Sequence, residues 1–319
     1  MADDFSTIRG RIHNKSHDYF AFSMNRWDRT KRSMFYGATD ALSDTSNAAG
    51  NYEHAITPNM GSNLLACYGF LQALYIQQDA IITLSRAVGL NWHPNGNERL
   101  RQIRDARNRL TGHPALAGER ENPRRLSSAI IAYDDISQFG FRGYIYYEDG
   151  FEDIRVDIAA FRKDNENLLS IQMQQIEQKM DEQERAFRIS EVQRPLSLAF
   201  TNHFSYLMQR LSCDLTDEGR VGQAQVHAQM IREIMTSFRN ELVSRGFASD
   251  GTSYQLRLIF TGLNLLEALM KSDCATPEKQ NEFDLIYDGI EKNVGQLMAF
   301  TAEIDTKLRA PIDEKNNYS

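Results

Sequence analysis

The chain has 319 residues, of which 41% are apolar and 25% are charged, the composition of an ordinary globular protein large enough for a sizeable core. This length predicts two domains. The net charge of −7 argues against a protein that coats nucleic acid indiscriminately, but it leaves room for a local basic site.

Cysteine usage and hydropathy bear on the compartment. Cys67, Cys213 and Cys274 lie far apart in the sequence, without the CxxC spacing of metal or redox sites. Three cysteines cannot all pair within one chain, which favours a reducing compartment. The sequence has no apolar run long enough to span a membrane, and its acidic, polar amino terminus does not resemble a targeting signal. We therefore expect a cytoplasmic protein with no membrane partner.

The amino-terminal third is predicted to be helical. Apolar residues at helical spacing predict a helix over residues 12–45, and small polar residues predict a loop over 43–58. The strongest pattern predicts a helix over 59–90, which a stretch containing Pro and Gly brings to an end. A second helix is expected to run from Asn97, its N-cap, to about Gly112.

The periodicity changes after this helix. Three segments are rich in β-branched and aromatic residues and partly alternate: 128–133, 140–147 and 151–156. They predict a small antiparallel hairpin or meander inserted at about 127–157. Asp157 is the expected N-cap of a long helix that reaches about Ile189. Apolar residues of this helix recur in steps of three and four, which predicts a packing seam against the chain's own bundle or a second copy.

The best candidate domain boundary lies at residues 191–195. Beyond it, four helical patterns are expected: 196–213, 217–245, 252–272 and 277–308. The sequence thus predicts a mainly α protein. A helical bundle with the inserted sheet covers 1–190, an all-helical domain covers 196–308, and a frayed tail covers 309–319.

The stretch most informative about function is 103–114, at the end of the second helix. From Glu98 to Arg125 there are eight arginines and four acidic residues, a local excess of +4 in an acidic chain. Here Arg107 and Asn108 precede His113. Arginine is a planar, permanently charged fork that fits phosphate, and histidine exchanges a proton near neutral pH.

The order of elements around this motif resembles the HEPN superfamily: a long helix, a short loop, an arginine-rich helix ending in Arg-Asn-x4-His-Pro, a β excursion and another long helix. HEPN proteins are helical bundles, and many are metal-independent ribonucleases of toxin, antiphage and RNA-processing systems. The resemblance covers roughly residues 59–190. It implies that Arg107 and His113 form the active-site pair with Asn108 in support. It also implies a homodimer, because in this family a second copy completes the site.

From the resemblance we expect an endoribonuclease of bacterial toxin or antiphage defence, with RNA as substrate and an antitoxin or defence-system protein as a further partner. In RNA cleavage the 2′-hydroxyl attacks the adjacent phosphate and the 5′-oxygen leaves, which gives a 2′,3′-cyclic phosphate. His113 is suited to the proton transfer, and Arg107 to stabilising charge on the phosphoryl oxygens. Asn108 would orient them. No metal or other cofactor is required.

The spacing of the motif raises a geometric objection. On a straight α-helix, six steps of about 100° leave Arg107 and His113 about 120° apart. Arg109, four residues before His113, is the better helical neighbour. However, Gly112 and Pro114 flank the histidine and favour a helix end there, which would allow the histidine to turn back towards Arg107.

Less specific interpretations of the motif stay open. A histidine at the carboxy end of a helix interacts favourably with the helix dipole, so this one could be a structural cap. The helix's arginines could pair with Asp105, Glu119 and Glu121 on a solvated face. Four further residues are candidate RNA contacts: Arg101, Arg104, Arg109 and His93.

The alternative function belongs to a different class. It is a non-catalytic helical partner-binding or scaffold protein with a degenerate motif, acting through its carboxy-terminal bundle. The chain lacks the P-loop, the GxGxxG fingerprint and the GxSxG elbow. NTP hydrolysis, dinucleotide redox chemistry and serine hydrolysis are therefore not expected.

Overall fold

The computed structural model describes residues 4–17, 23–112, 128–147, 149–200, 202–216, 220–271 and 277–310. The predicted fold class is confirmed: the protein is mainly α, with one small antiparallel sheet between its helices. The chain folds into two compact units, one formed by 1–21 and 27–182 and the other by 22–26 and 183–319. The division therefore falls inside a long helix, whereas the sequence pattern placed the boundary at 191–195, after that helix.

Five of the α-helices in the described residues precede the sheet. They are α1 (Phe5–His17), α2 (Arg29–Gly50), α3 (Tyr52–Ala55), α4 (Met60–Val88) and α5 (Glu98–Arg107). The single helix predicted over 12–45 is wrong: residues 12–17 belong to α1, and α2 starts separately where the Asp28 side chain accepts a hydrogen bond from the Lys31 amide (2.8 Å). The loop predicted over 43–58 is also largely wrong. Small polar residues continue α2 to Gly50 because they share its turns with the buried Leu42 and Ala49.

Helix α4 confirms the strongest sequence pattern. The Asn59 side chain caps its first turn by accepting from the Ser62 amide (3.1 Å). Gly89 ends it in the left-handed conformation, with φ of 86°. One face is almost entirely apolar and buried, with Leu71 and Leu74 fully shielded from solvent.

A network of buried amides joins α4 to the long helix α6 (Ile158–Val192). Asn165 donates to Gln77 (2.7 Å) and accepts from Gln78 (2.9 Å), and all three side chains are fully buried. The Gln78 amide nitrogen also lies 3.3 Å from the carbonyl oxygen of Leu100 in α5. Three helices of the first unit therefore meet at one polar point, since buried amides are costly to leave unbonded.

The sheet is a meander, as predicted. Strands β1 (Ser128–Ile131), β2 (Gly140–Tyr147) and β3 (Gly150–Asp157) pair antiparallel in the order β1-β2-β3. Its inner face carries alternate apolar residues into the first unit's core: Ala129, Ile131, Phe141, Ile145 and Val156. Asp157 then caps α6 by accepting from the Ala160 amide (2.8 Å), which confirms the predicted start of that helix.

The packing seam predicted on α6 faces the chain's own bundle. Leu169, Met173 and Ile176 are each fully buried within the chain, so they need no second copy to cover them. The helix ends at Val192, slightly beyond the predicted Ile189.

The second unit contains the four helices expected from the sequence. They are α7 (Asn202–Leu215), α8 (Val221–Arg245), α9 (Asp250–Met270) and α10 (Pro277–Arg309). Helix α7 begins later than the predicted residue 196, because Leu196–Ala199 forms a separate 3-10 turn whose first amides bind the Asp305 carboxylate (2.8 and 3.0 Å). Among the residues that the structure describes, no helix is long and apolar enough to cross a membrane.

Two glycines with opposite surroundings give a test of these elements. A Cβ at Gly140 would lie 2.3 Å from the Val156 carbonyl oxygen across the β2–β3 ladder, so Gly140→Ala must push backbone apart. We expect a loss of about 1–3 kcal/mol in the free energy of unfolding. A Cβ at Gly37, within α2, meets nothing within 4 Å. Gly37→Ala should therefore raise stability by about 0.5–1 kcal/mol. Urea unfolding measures both, and a Gly140→Ala protein as stable as the parent would contradict the strand register.

Candidate functional site

The candidate site begins at the carboxy end of α5. Asn97 starts this helix by accepting from the amides of Arg99 (3.0 Å) and Leu100 (3.2 Å). Leu100, Ile103 and Ala106 bury one side of the helix, so its arginines are left on the other sides. This arrangement makes α5 a short basic helix fixed by an apolar face.

The backbone geometry changes before Gly112, where the sequence predicted the helix to end. From Asn108 to Gly112 the backbone is π-helical, and the Thr111 hydroxyl donates to the Arg107 carbonyl (2.8 Å). A π turn closes between residues five apart, so Gly112 lies about one turn beyond Arg107 instead of well around the helix. The angle estimated for a straight α-helix therefore does not apply to this segment.

His113 follows Gly112 directly and lies outside the described residues, as do Pro114, Glu119 and Glu121. The pairing of Arg107 with His113 therefore stays a prediction. The structure does bring Arg107 and Asn108 together, since Nη1 of the arginine donates to Oδ1 of the asparagine at 3.0 Å.

Arg107 is held by three neutral groups. Besides Asn108, its Nε donates to Oε1 of Gln72 (2.9 Å), and its guanidinium carbon lies 4.5 Å from the ring centroid of Tyr75. None of these groups carries a negative charge. The guanidinium is thus fixed in position while its positive charge is left without a carboxylate among the residues that the structure describes.

The neighbouring arginines are different, because two of them form ion pairs. Arg104 binds Asp79 (2.7 Å) and shares the Tyr75 ring, 4.0 Å from its centroid. Arg109 binds Glu152 of β3 (2.6 Å) and the hydroxyl of Tyr147. Burial lowers the pKa of Arg109, but the hydrogen bond and charge of Glu152 outweigh burial and raise it overall.

These pairs correct one expectation from the sequence. Arg104 and Arg109 pair with acidic residues from other elements, because α4 and the β2–β3 hairpin bring Asp79 and Glu152 to them; Glu119 and Glu121 lie outside the described residues. Asp105, the described member of the expected set, is exposed.

The remaining candidate RNA contacts are on the surface. Arg101 is exposed, and its side chain makes no hydrogen bond or ion pair with the part of the chain that the structure describes. His93 is exposed as well, and its Nδ1 accepts from the Asn95 amide (3.2 Å) at the start of a 3-10 turn. One ring nitrogen of His93 is therefore used for capping.

The residues of α4 that hold the arginines were not among those predicted from the sequence. Gln72, Tyr75 and Asp79 follow one another at helical spacing, so they form one polar stripe on α4, in addition to the buried amides of Gln77 and Gln78. That interruption of the apolar pattern was the available signal. The sequence did not identify the residues that this stripe binds, because nothing in the sequence states which helix packs beside it.

The outer face of the sheet carries a cluster of aromatic side chains. Tyr144, Tyr146 and Phe151 contact one another with ring centroids 5.7 to 6.4 Å apart, and Phe151 is 67% exposed. Two arginines on this face lie near Asp153, Arg142 at 3.7 Å and Arg155 at 3.2 Å. The face is therefore aromatic and nearly balanced in charge.

Comparison with known proteins gives no match: no family model, no curated protein and no solved structure matches the chain. Within the described ranges, no group of three or more His, Cys, Asp or Glu side chains is placed to hold a metal ion. Cys67 and Cys213 are free thiols, and Cys274 lies outside the described residues.

The Tyr75 ring should contribute to stability through its two arginines. In Tyr75→Leu both guanidinium groups lose the ring, and we expect the free energy of unfolding to fall by about 1–2 kcal/mol. Tyr75→Phe keeps the ring, and no described group binds the hydroxyl, so it should match the parent. Urea unfolding distinguishes the two, and equal losses in both variants would assign the effect to the hydroxyl instead.

Proposed function

We propose that the chain is a metal-independent endoribonuclease of the HEPN type. One observation carries the proposal: Arg107 is fixed by Gln72, Asn108 and Tyr75, all neutral, and its charge is not compensated among the described residues. A structural arginine normally acquires a carboxylate, as Arg104 and Arg109 do on either side. An arginine that is held in position but has no carboxylate partner can bind a phosphate group of the substrate.

The proposed chemistry uses Arg107 and His113. The 2′-hydroxyl of the substrate loses its proton and attacks the adjacent phosphorus, and the 5′-oxygen leaves with a proton. His113 exchanges these protons, Arg107 donates to the phosphoryl oxygens, and Asn108 orients the guanidinium. The products are a 2′,3′-cyclic phosphate and a 5′-hydroxyl end.

The π turn supports the spacing of this pair. Gly112 lies about one turn beyond Arg107, so the residue before His113 returns to the side of the helix that carries Arg107.

The aromatic face of the sheet is suited to the unpaired bases of a nucleic acid. Unpaired bases stack on exposed aromatic rings, and Tyr144, Tyr146 and Phe151 offer three in contact. This face points away from the inner face that packs into the core of the first unit, so it suits a stretch of RNA beyond the cleaved phosphate.

A homodimer is part of the proposal. The stripe of α4 that holds Arg107 continues towards the start of the helix with Tyr68 and Leu65, which are 40% and 72% exposed. An exposed apolar extension beside the site is where a second copy would pack and complete it. We further propose action in the cytoplasm, in toxin or antiphage defence, with an antitoxin or defence-system protein as partner.

Purified protein should cleave total and transfer RNA in the presence of EDTA and leave 2′,3′-cyclic phosphate ends. Arg107→Ala and His113→Ala should each lower the rate by about 10²-fold or more, because each removes a group that acts in the transition state. Gln72→Glu should also lower it, since it places a carboxylate against Arg107 while keeping the side-chain size.

Arg99→Ala is the matched control, because Arg99 lies on the same helix, is paired with Asp164 (2.7 Å) and is not among the candidate RNA contacts. Sedimentation at several concentrations tests the dimer. The proposal would be wrong if the protein is monomeric at every concentration and its RNA cleavage is unchanged in Arg107→Ala and in His113→Ala. That result would move the assignment to the non-catalytic partner-binding protein.

The sheet should affect substrate binding more than the chemical step. Replacing Tyr146 and Phe151 by alanine removes two exposed rings. We expect KM for an RNA oligonucleotide to rise about tenfold or more with little change in kcat. The increase should depend weakly on salt, because the face is nearly balanced in charge. An equal fall in kcat with unchanged KM would show that the rings do not bind RNA.

A further inference from the structure

The second unit contains a basic groove, of about 560 Å³, between α8 and α9. Arg232 and Arg239 line it from α8, and Arg257 lines it from α9. Hydroxyl groups of both helices complete the polar lining. No acidic residue is among the described residues that line it, which is unusual in a chain with a net charge of −7.

The three arginines are not equivalent. Arg232 is paired with Glu267 and donates to Asn264, both at 2.8 Å. Arg239 and Arg257 are exposed, and their side chains form no ion pair or hydrogen bond with the described residues; the rings of Phe260 and Tyr254 lie 5.5 and 5.2 Å from their guanidinium carbons. The rings limit the motion of these two cations but leave their charge uncompensated.

Two uncompensated cations from different helices that line one groove favour an anion there. Each guanidinium offers a fork of donors that matches the oxygens of a phosphate group. The groove is much larger than a phosphate ion needs, and its volume lies within the range typical of small-molecule sites. Phe260 and Leu256 add an apolar wall for the rest of the molecule.

We propose that this groove binds a free nucleotide, with its phosphates on Arg239 and Arg257 and its base or sugar against Phe260. The proposal does not depend on the ribonuclease activity, because none of these residues belongs to the candidate site at Arg107. It assigns a small-molecule site to the second unit, for which the sequence offered no motif.

Calorimetric titration of the full-length protein with ATP tests the proposal directly. We expect saturable binding that weakens at least tenfold in Arg239→Gln and in Arg257→Gln. The control is Arg210→Gln, because Arg210 in α7 also lies near an aromatic ring, Tyr206 at 5.2 Å, with a hydrogen bond to its hydroxyl (2.9 Å), but does not line the groove. Circular dichroism confirms that each variant is folded. Raising the salt concentration should weaken binding to the parent protein.

Further titrants identify the source of the phosphate. AMP should bind more weakly than ATP and inorganic phosphate more weakly still, because each has fewer contacts to make in the groove. Binding of a short RNA oligonucleotide through Arg239 and Arg257, with no binding of ATP, would overturn the assignment to a free nucleotide. No binding of ATP at millimolar concentration, or an equal loss in Arg210→Gln, would also overturn it. Arg107→Ala should leave ATP binding unchanged, so the two proposals fail independently.

Discussion

The first unit depends on the buried amides that join three of its helices. Asn165 bonds to both Gln77 and Gln78, and Gln78 reaches the backbone of α5 at Leu100. In a water-free interior, an amide without a partner costs more than a bonded one contributes, so shifting any of these helices along its axis would be unfavourable. The network therefore fixes the register of α4, α5 and α6, and the position of Arg107 follows from that register.

With the register fixed, the two sides of α5 have different roles. Its apolar side packs into the core, while its arginines meet whatever the neighbouring elements present. Asp79 and Glu152 neutralise Arg104 and Arg109, and each such partly exposed pair contributes up to about 1 kcal/mol. Arg107 meets Gln72 and Asn108 instead. Arg107 has no ion pair with the described residues, so its guanidinium remains available to a phosphate. The same contrast, between a paired Arg232 and the ring-bound Arg239 and Arg257, distinguishes the groove of the second unit.

Sequence patterns succeeded where one local signal decided the structure. Helix α4 begins beside Asn59, and Asp157 starts α6, as predicted, because capping needs only side chains a few residues away; Gly89, which ends α4, was not predicted. The patterns failed around residues 43–58, where polar composition indicated a loop but a buried Leu42 and Ala49 continued the helix. They also failed at Asn108. A π turn and a regular helix end have similar composition, and packing of Leu110 against Gly143 is not visible in the sequence.

The sequence by itself determined the mainly α class, the three strands, most helix ends and the arginine-rich motif. These features depend on the spacing of apolar residues and on local capping. The tertiary structure alone decided which of these arginines is left without a carboxylate partner among the described residues. That outcome depends on the neutral Gln72 and Tyr75 of α4 facing Arg107, and on the acidic Asp79 and Glu152 facing its neighbours. Helix packing brings these groups together from distant parts of the chain, and no spacing within a single segment encodes it.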